Sequence, residues 1–167
     1  MNNLKRVLSL GLTGAMLSGM MLVGASAADV KDFSDAAEIK NKEAVTTMSA
    51  LGVIAGKDTG AFDPDGTVTR AEMAKIICVM RNGGVDPTLG TSSNPVYTDV
   101  SNHWARSYIE YCSNLNIIAG QGDGTFNPDG QVTGAAAAKM LLVAMGYDST
   151  VFKFTGADWA INVNTEA

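Results

Sequence analysis

Arg70 sits in the stretch Gly-Thr-Val-Thr-Arg-Ala-Glu-Met over 66–73, at the first position of an expected helix. The opening turn of a helix carries partial positive charge, so a cation there is misplaced unless something anionic shares the site. Free backbone donors at a helix start already favour an anion. A guanidinium adds a two-pronged hold on a carboxylate. The competing reading is a solvent-facing arginine paired with a neighbouring aspartate. Thr69 and Glu72 have the spacing of a capping box, in which each side chain satisfies the other residue's backbone N–H. Trp104 and Trp159 each precede an alanine at the start of an expected helix. An indole in that place is either core or a platform for the apolar face of a sugar, with its N–H free to donate.

Other chemistry finds little support. His103 is the single histidine, and Cys78 and Cys112 are the only thiols, with no Cys-x-x-Cys spacing. That argues against zinc sites built on several imidazoles. The loops Asp-Thr-Gly-Ala-Phe-Asp-Pro-Asp-Gly and Gly-Asp-Gly-Thr-Phe-Asn-Pro-Asp-Gly invite calcium, but both lack the ligand pattern of an EF-hand loop and read better as turns. No nucleophile elbow and no phosphate-binding loop is present. The expectation is a chain that is not an enzyme, with no catalytic residue, no metal and no cofactor.

The elements that must position Arg70 and the tryptophans come as a repeat. At an offset of 64 residues Phe33-Ser-Asp meets Tyr97-Thr-Asp, and Leu51-Gly-Val-Ile-Ala-Gly meets Leu115-Asn-Ile-Ile-Ala-Gly. Gly60-Ala-Phe-Asp-Pro-Asp-Gly-Thr-Val-Thr-Arg-Ala likewise meets Gly124-Thr-Phe-Asn-Pro-Asp-Gly-Gln-Val-Thr-Gly-Ala, with no gap. Each unit reads as an aromatic-Ser/Thr-Asp start, a first amphipathic helix (40–50 and 104–114), a turn-rich loop, and a second helix (70–81 and 134–145). Asp35 and Asp99 are expected to cap the first helices. Lys75 and Lys139 fall at matching positions on apolar helices and read as snorkelling cations. The second helix of the second unit is apolar nearly all round, which places it in a core. One unit is too small to stand alone, so second helices must pack together. The second unit lacks the arginine and glutamate, having Thr133-Gly134-Ala135-Ala136 instead, and the first unit has Lys40 where the second has Trp104.

The remaining bounds concern compartment. Residues 1–27 carry Lys5 and Arg6, an apolar run, and the cleavage pattern Ala25-Ser26-Ala27, and read as a signal peptide with the mature chain starting at Ala28. The formal net charge is −5, and the chain beyond the leader is more acidic still, which excludes a broad nucleic-acid-binding surface. No later stretch is long and apolar enough to span a membrane. Export permits a disulfide, although two cysteines within apolar helical patterns read first as small buried residues.

These motifs together, twice in order behind a leader, resemble the S-layer homology domain family. The resemblance rests on the aromatic-Ser-Asp start, His103-Trp104-Ala105, Gly122-Asp-Gly-Thr-Phe-Asn-Pro-Asp-Gly-Gln-Val-Thr133 and Thr69-Arg70-Ala71-Glu72, over 29–147 with a stub to 167. It implies a mostly α fold of helix-loop-helix repeats in a pseudo-threefold bundle, here incomplete. The expected layout is signal peptide 1–27, first repeat 28–84, linker 85–96, second repeat 97–147, and the start of a truncated third repeat at 148–167. It further implies a noncovalent anchor that holds an exported or S-layer protein to the bacterial cell wall. The implied ligand is an acidic secondary cell-wall polysaccharide bearing pyruvate, or a peptidoglycan-linked glycan. Arg70, Trp104 and Trp159 are the implied ligand-binding residues, with Thr69 and Glu72 as the helix cap. The alternative is an assembly protein whose repeats pack with a partner chain supplying the missing unit. Uncovered core helices would also favour a homo-oligomer.

Overall fold

The computed structural model describes residues 30–167, so the leader expected at 1–27 lies outside the described residues. Five α-helices carry the fold: α1 Lys42–Ala50, α2 Arg70–Arg81, α3 Arg106–Asn114, α4 Gly134–Ala144 and α5 Trp159–Glu166. Short 3-10 turns at Val30–Asp32 and Thr98–Val100 precede the first helices of the two repeats. The fold is mostly α, with one isolated bridge, between Thr69 and Gln131, among the described residues.

The helices pair across the repeats. α2 packs on α3 and α4 packs on α5, so each second helix takes as its main partner the first helix of the unit that follows. α2 and α4, the two second helices, also touch, as their apolar patterns require. The central core gathers Met73, Ile77 and Cys78 of α2, Ile109 and Cys112 of α3, Phe126 of the second loop and Met140 of α4. A smaller core joins Val30, Phe33, Ile39 and Val45 around α1, and another joins Leu142, Phe154 and Val163 between α4 and α5. α4 is the most apolar helix by sequence, yet α2 is the deepest. α2 receives α3, α4 and the second loop, whereas α4 leaves Ala135 to Lys139 half-buried.

Asp35 and Asp99 do not cap helices. Asp35 accepts from the N–H groups of Phe62 and Asp63 at 2.8 and 2.7 Å. Asp99 accepts from those of Phe126 and Asn127, the positions 64 residues on, at 2.9 and 2.7 Å. Each aspartate therefore ties its unit's opening to that unit's loop. Asp63 and Asn127 have φ of 62° and 59°, a left-handed conformation in which their amides turn toward the carboxylate. The aromatic of the same motif lies beneath the loop, with Phe33 and Phe62 centroids 5.5 Å apart and Tyr97 and Phe126 centroids 5.4 Å apart. Gly56 and Gly120 face those aromatic rings so closely that any Cβ would collide, which fixes the glycine closing each Ile-Ala-Gly motif.

The 85–96 segment is held along α3. Ser92 donates its N–H to Glu110 Oε2 at 2.7 Å, and Arg106 bonds both Glu110 and the Ser92 carbonyl. Leu89 packs onto the central core.

Candidate functional site

A groove of about 720 Å³ runs between the first loop, α2 and Trp104 of the second repeat. Its walls include Lys57, Phe62, Glu72, Lys75, Asp86 and Trp104. Trp104 is 56% exposed although it is the largest side-chain type in the protein. Its ring lies 5.5 Å from that of His103 and 6.3 Å, edge-on, from that of Tyr108. His103 holds the approach to the helix: Nδ1 accepts the Ala105 N–H at 3.1 Å, which leaves the proton on Nε2 to meet Asp129 at 3.2 Å.

Cations on α2 and in the loop are held by carboxylates. Lys75 Nζ lies 3.0 Å from Asp86 and 5.8 Å from the centre of the Tyr108 ring. Tyr108 donates its hydroxyl to Asp86 at 2.7 Å. That hydrogen bond pushes the Tyr108 hydroxyl up to about 12 and lowers Asp86 in turn. Lys57 pairs with Glu72 at 3.6 Å. The groove thus offers an indole face, two ammonium groups and hydrogen-bonding carboxylates, a set suited to sugar rings and hydroxyls.

Thr69 and Glu72 form the reciprocal cap. Thr69 Oγ1 accepts the Glu72 N–H at 3.1 Å, and Glu72 Oε2 accepts the Thr69 N–H at 2.8 Å. Burial opposes ionisation of Glu72, but Thr69's two hydrogen bonds and Lys57 outweigh it and lower its pKa. In the second unit Thr133 Oγ1 still accepts from Ala136 N–H at 3.2 Å, without the return bond.

Arg70 has partners other than those expected from its place at a helix start. Its backbone N–H donates to Gly130 O at 2.9 Å and that of Ala71 to Pro128 O at 2.9 Å, so these donors are taken by the second loop. Its side chain reaches the same repeat: Nε donates to Phe126 O at 2.9 Å and Nη2 to Ala119 O at 2.7 Å. The guanidinium lies 4.3 Å from the centre of the Phe126 ring. Burial presses the pKa of Arg70 down, opposed by Tyr97 and Asp99. The cation is placed among carbonyl dipoles and a ring face, and Arg70 is absent from the groove wall. The expectation of an exposed guanidinium beside free amides is therefore corrected.

Trp159 is half-buried against Leu142, Phe154 and Val163, with Lys139 Nζ 5.4 Å from its ring centre. Burial lowers the pKa of Lys139. The Lys139–Trp159 pair lies between α4 and α5 as Lys75 and the Trp104–Tyr108 edge lie between α2 and α3. The structure brings Trp104, Lys75 and Glu72 into one groove and leaves Arg70 and Trp159 outside it. Sequence reasoning missed Lys57, Asp86 and Tyr108. The recurrence of Lys75 and Lys139 at one register, and Tyr108 one turn beyond Trp104, were the available signals.

Among the described residues no helix is long and apolar enough to cross a membrane. A family model described as S-layer homology domain matches residues 32–74 and 96–138, two copies at the offset seen in the sequence. The chain is 37% identical over 112 residues to a surface layer protein of Brevibacillus choshinensis, covering 66% of this chain and 10% of that protein. It is 36% identical over 111 residues to the middle cell wall protein of Brevibacillus brevis, with the same coverage of 66% and 10%. An uncharacterized cell wall amidase of Bacillus anthracis is 27% identical over 143 residues, 85% of this chain and 26% of that protein. The chain spans between a tenth and about a quarter of these relatives' length. With two matched copies that cover half of its length, the chain belongs to the S-layer homology domain family.

Proposed function

We propose that the chain is a noncovalent anchoring module that binds acidic cell-wall glycan, a pyruvylated secondary cell-wall polysaccharide, through the groove between its repeats. Its place is the bacterial cell surface. The observation that carries the reading is Trp104, a large indole 56% exposed on the wall of a groove that Lys75 and Lys57 also line. An apolar sugar face stacks on the indole while an ammonium receives the carboxylate of the ketal. Arg70 enters as a positioning residue: it fixes the repeat that carries Trp104 against α2. Trp159 with Lys139 is the counterpart pair on α4 and α5, proposed as a weaker contact because its ring is half-buried. Relatives with unlike names share this portion, which suits a module that attaches different cargoes. The test is sedimentation of the secreted chain with purified cell-wall sacculi. Binding is expected to intact sacculi, to fall when the attached polymers are removed or stripped of pyruvate, and to fall again with Trp104→Ala. Equal binding to stripped sacculi overturns the acidic-glycan reading.

A further inference from the structure

The α2–α3 interface holds both cysteines of the chain. Cys78 and Cys112 are 1% and 0% exposed, and their Sγ atoms lie 3.4 Å apart. Each sulfur also faces a carbonyl of the opposite helix, Cys78 toward Tyr108 O at 3.8 Å and Cys112 toward Ala74 O at 3.7 Å. Both are free thiols in this structure. Among the described residues no group of three His, Cys, Asp or Glu side chains could hold a metal ion, so the pair lacks the further ligands of a structural metal site. A disulfide requires the sulfurs to approach from 3.4 Å to about 2.05 Å.

The two thiols are not equivalent. A cavity of about 360 Å³ is lined by Cys78, Arg81, Leu89 and Tyr111, and Cys112 takes no part in it. Cys78 is nearly closed to solvent by area yet forms part of this cavity's wall, which makes it the sulfur a small reagent meets first. The contact between the sulfurs, in which either thiol can donate, lowers the Cys78 pKa, and Arg81 helps, while it raises Cys112. A thiolate is the reactive form.

We propose that Cys78 and Cys112 are an oxidisable pair that locks α2 to α3 by an intrachain disulfide, with Cys78 the attacking thiol and Cys112 the resolving one. With hydrogen peroxide as oxidant, the Cys78 thiolate attacks one oxygen, the O–O bond breaks, and the departing hydroxide is protonated to water, leaving a sulfenic acid. Cys112 Sγ then attacks Cys78 Sγ. The S–S bond forms, the hydroxyl leaves with the Cys112 proton as a second water, and two thiols have given up two electrons to one peroxide. An exported chain meets an environment in which such a bond persists. The covalent loop of residues 78–112 would contain two residues of the groove wall, Asp86 and Trp104.

The experiment treats the purified secreted chain with hydrogen peroxide and counts maleimide-reactive thiols in denaturant. The count is expected to fall from two to zero, the intact mass to drop by two hydrogens, and the melting temperature to rise by about 10 °C, reversibly with dithiothreitol. In Cys112→Ala, dimedone should trap a sulfenic acid on Cys78, and in Cys78→Ala it should leave Cys112 unlabelled. A thiol count that stays at two, a mass gain from stable sulfinic acid in the unaltered chain, or a disulfide formed between chains overturns the pairing. Dimedone on Cys112 instead of Cys78 overturns the assigned order. The thiol count on the unaltered chain needs no variant to fold.

Discussion

A single arginine joins the two repeats more firmly than any other charged side chain in the described structure. Arg70 spends two donors on carbonyls 49 and 56 residues downstream and lays its guanidinium on Phe126. Arg70→Ala would leave those carbonyls without their charged donor and is expected to cost about 2–3 kcal/mol of stability. Arg70→Lys should recover little, because an ammonium cannot reproduce the planar fork. Denaturant midpoints of the three chains check both. Trp104→Ala is the contrasting case. Its exposure means stability should move by less than about 0.5 kcal/mol while glycan binding drops about tenfold or more. A titration against isolated wall polymer, beside a thermal melt, separates the two effects. The difference between these residues was invisible in the sequence, where both stand beside a helix start. What distinguishes them is a loop that arrives from the other repeat.

At the scale of elements, the helices were legible and their loop contacts were not. The capping residues and the apolar spacing gave α2 its observed bounds, Arg70–Arg81, and the first helices begin two residues later than expected, at Lys42 and Arg106. Such signals act within a few residues, so a single chain displays them. Asp35 and Asp99 bind N–H groups 27 and 28 residues away, and no local pattern distinguishes that role from a helix cap. The carboxylates give the loops a pH dependence. The N–H of Phe62 lowers the Asp35 pKa, and at Asp99 burial opposes ionisation but the N–H groups of Phe126 and Asn127 outweigh it. A depressed folded pKa stabilises the native state above the unfolded value and loses that contribution as pH falls through the folded value. The melting temperature is therefore expected to decline as pH drops below about 4, and Asp35→Asn with Asp99→Asn should flatten the decline while lowering stability at neutral pH. Melts from pH 7 to pH 2 measure it.

For the whole molecule, the C-terminal segment behaves as structure. α5 leans on α4, the second helix of the unit before, and buries Val163 and Phe154 completely against Leu142. Removal of residues 148–167 is expected to uncover Leu142 and the outer side of α4 and to lower the melting temperature by several degrees. It should also promote self-association, because the bared α4 face is apolar. Sedimentation and melting of the shortened chain beside the full one would show whether α5 seals the bundle. Unchanged values for both would mean that it does not.

The pairing of each second helix with the next unit's first helix has a consequence for how such chains grow. The unit that sequence copying multiplies, 64 residues long here, is half a step out of phase with the unit that packs. A newly duplicated copy therefore cannot sit as a separate bead. Its first helix must cover the helix left bare by its predecessor, and its second helix is left bare in turn. Every duplication both closes an old seam and opens a fresh one, and at both closed seams here a lysine stands beside an aromatic ring, Lys75 at Tyr108 and Lys139 at Trp159. Structural joints and the cation–ring pairs that line them would then be added together by a single genetic event.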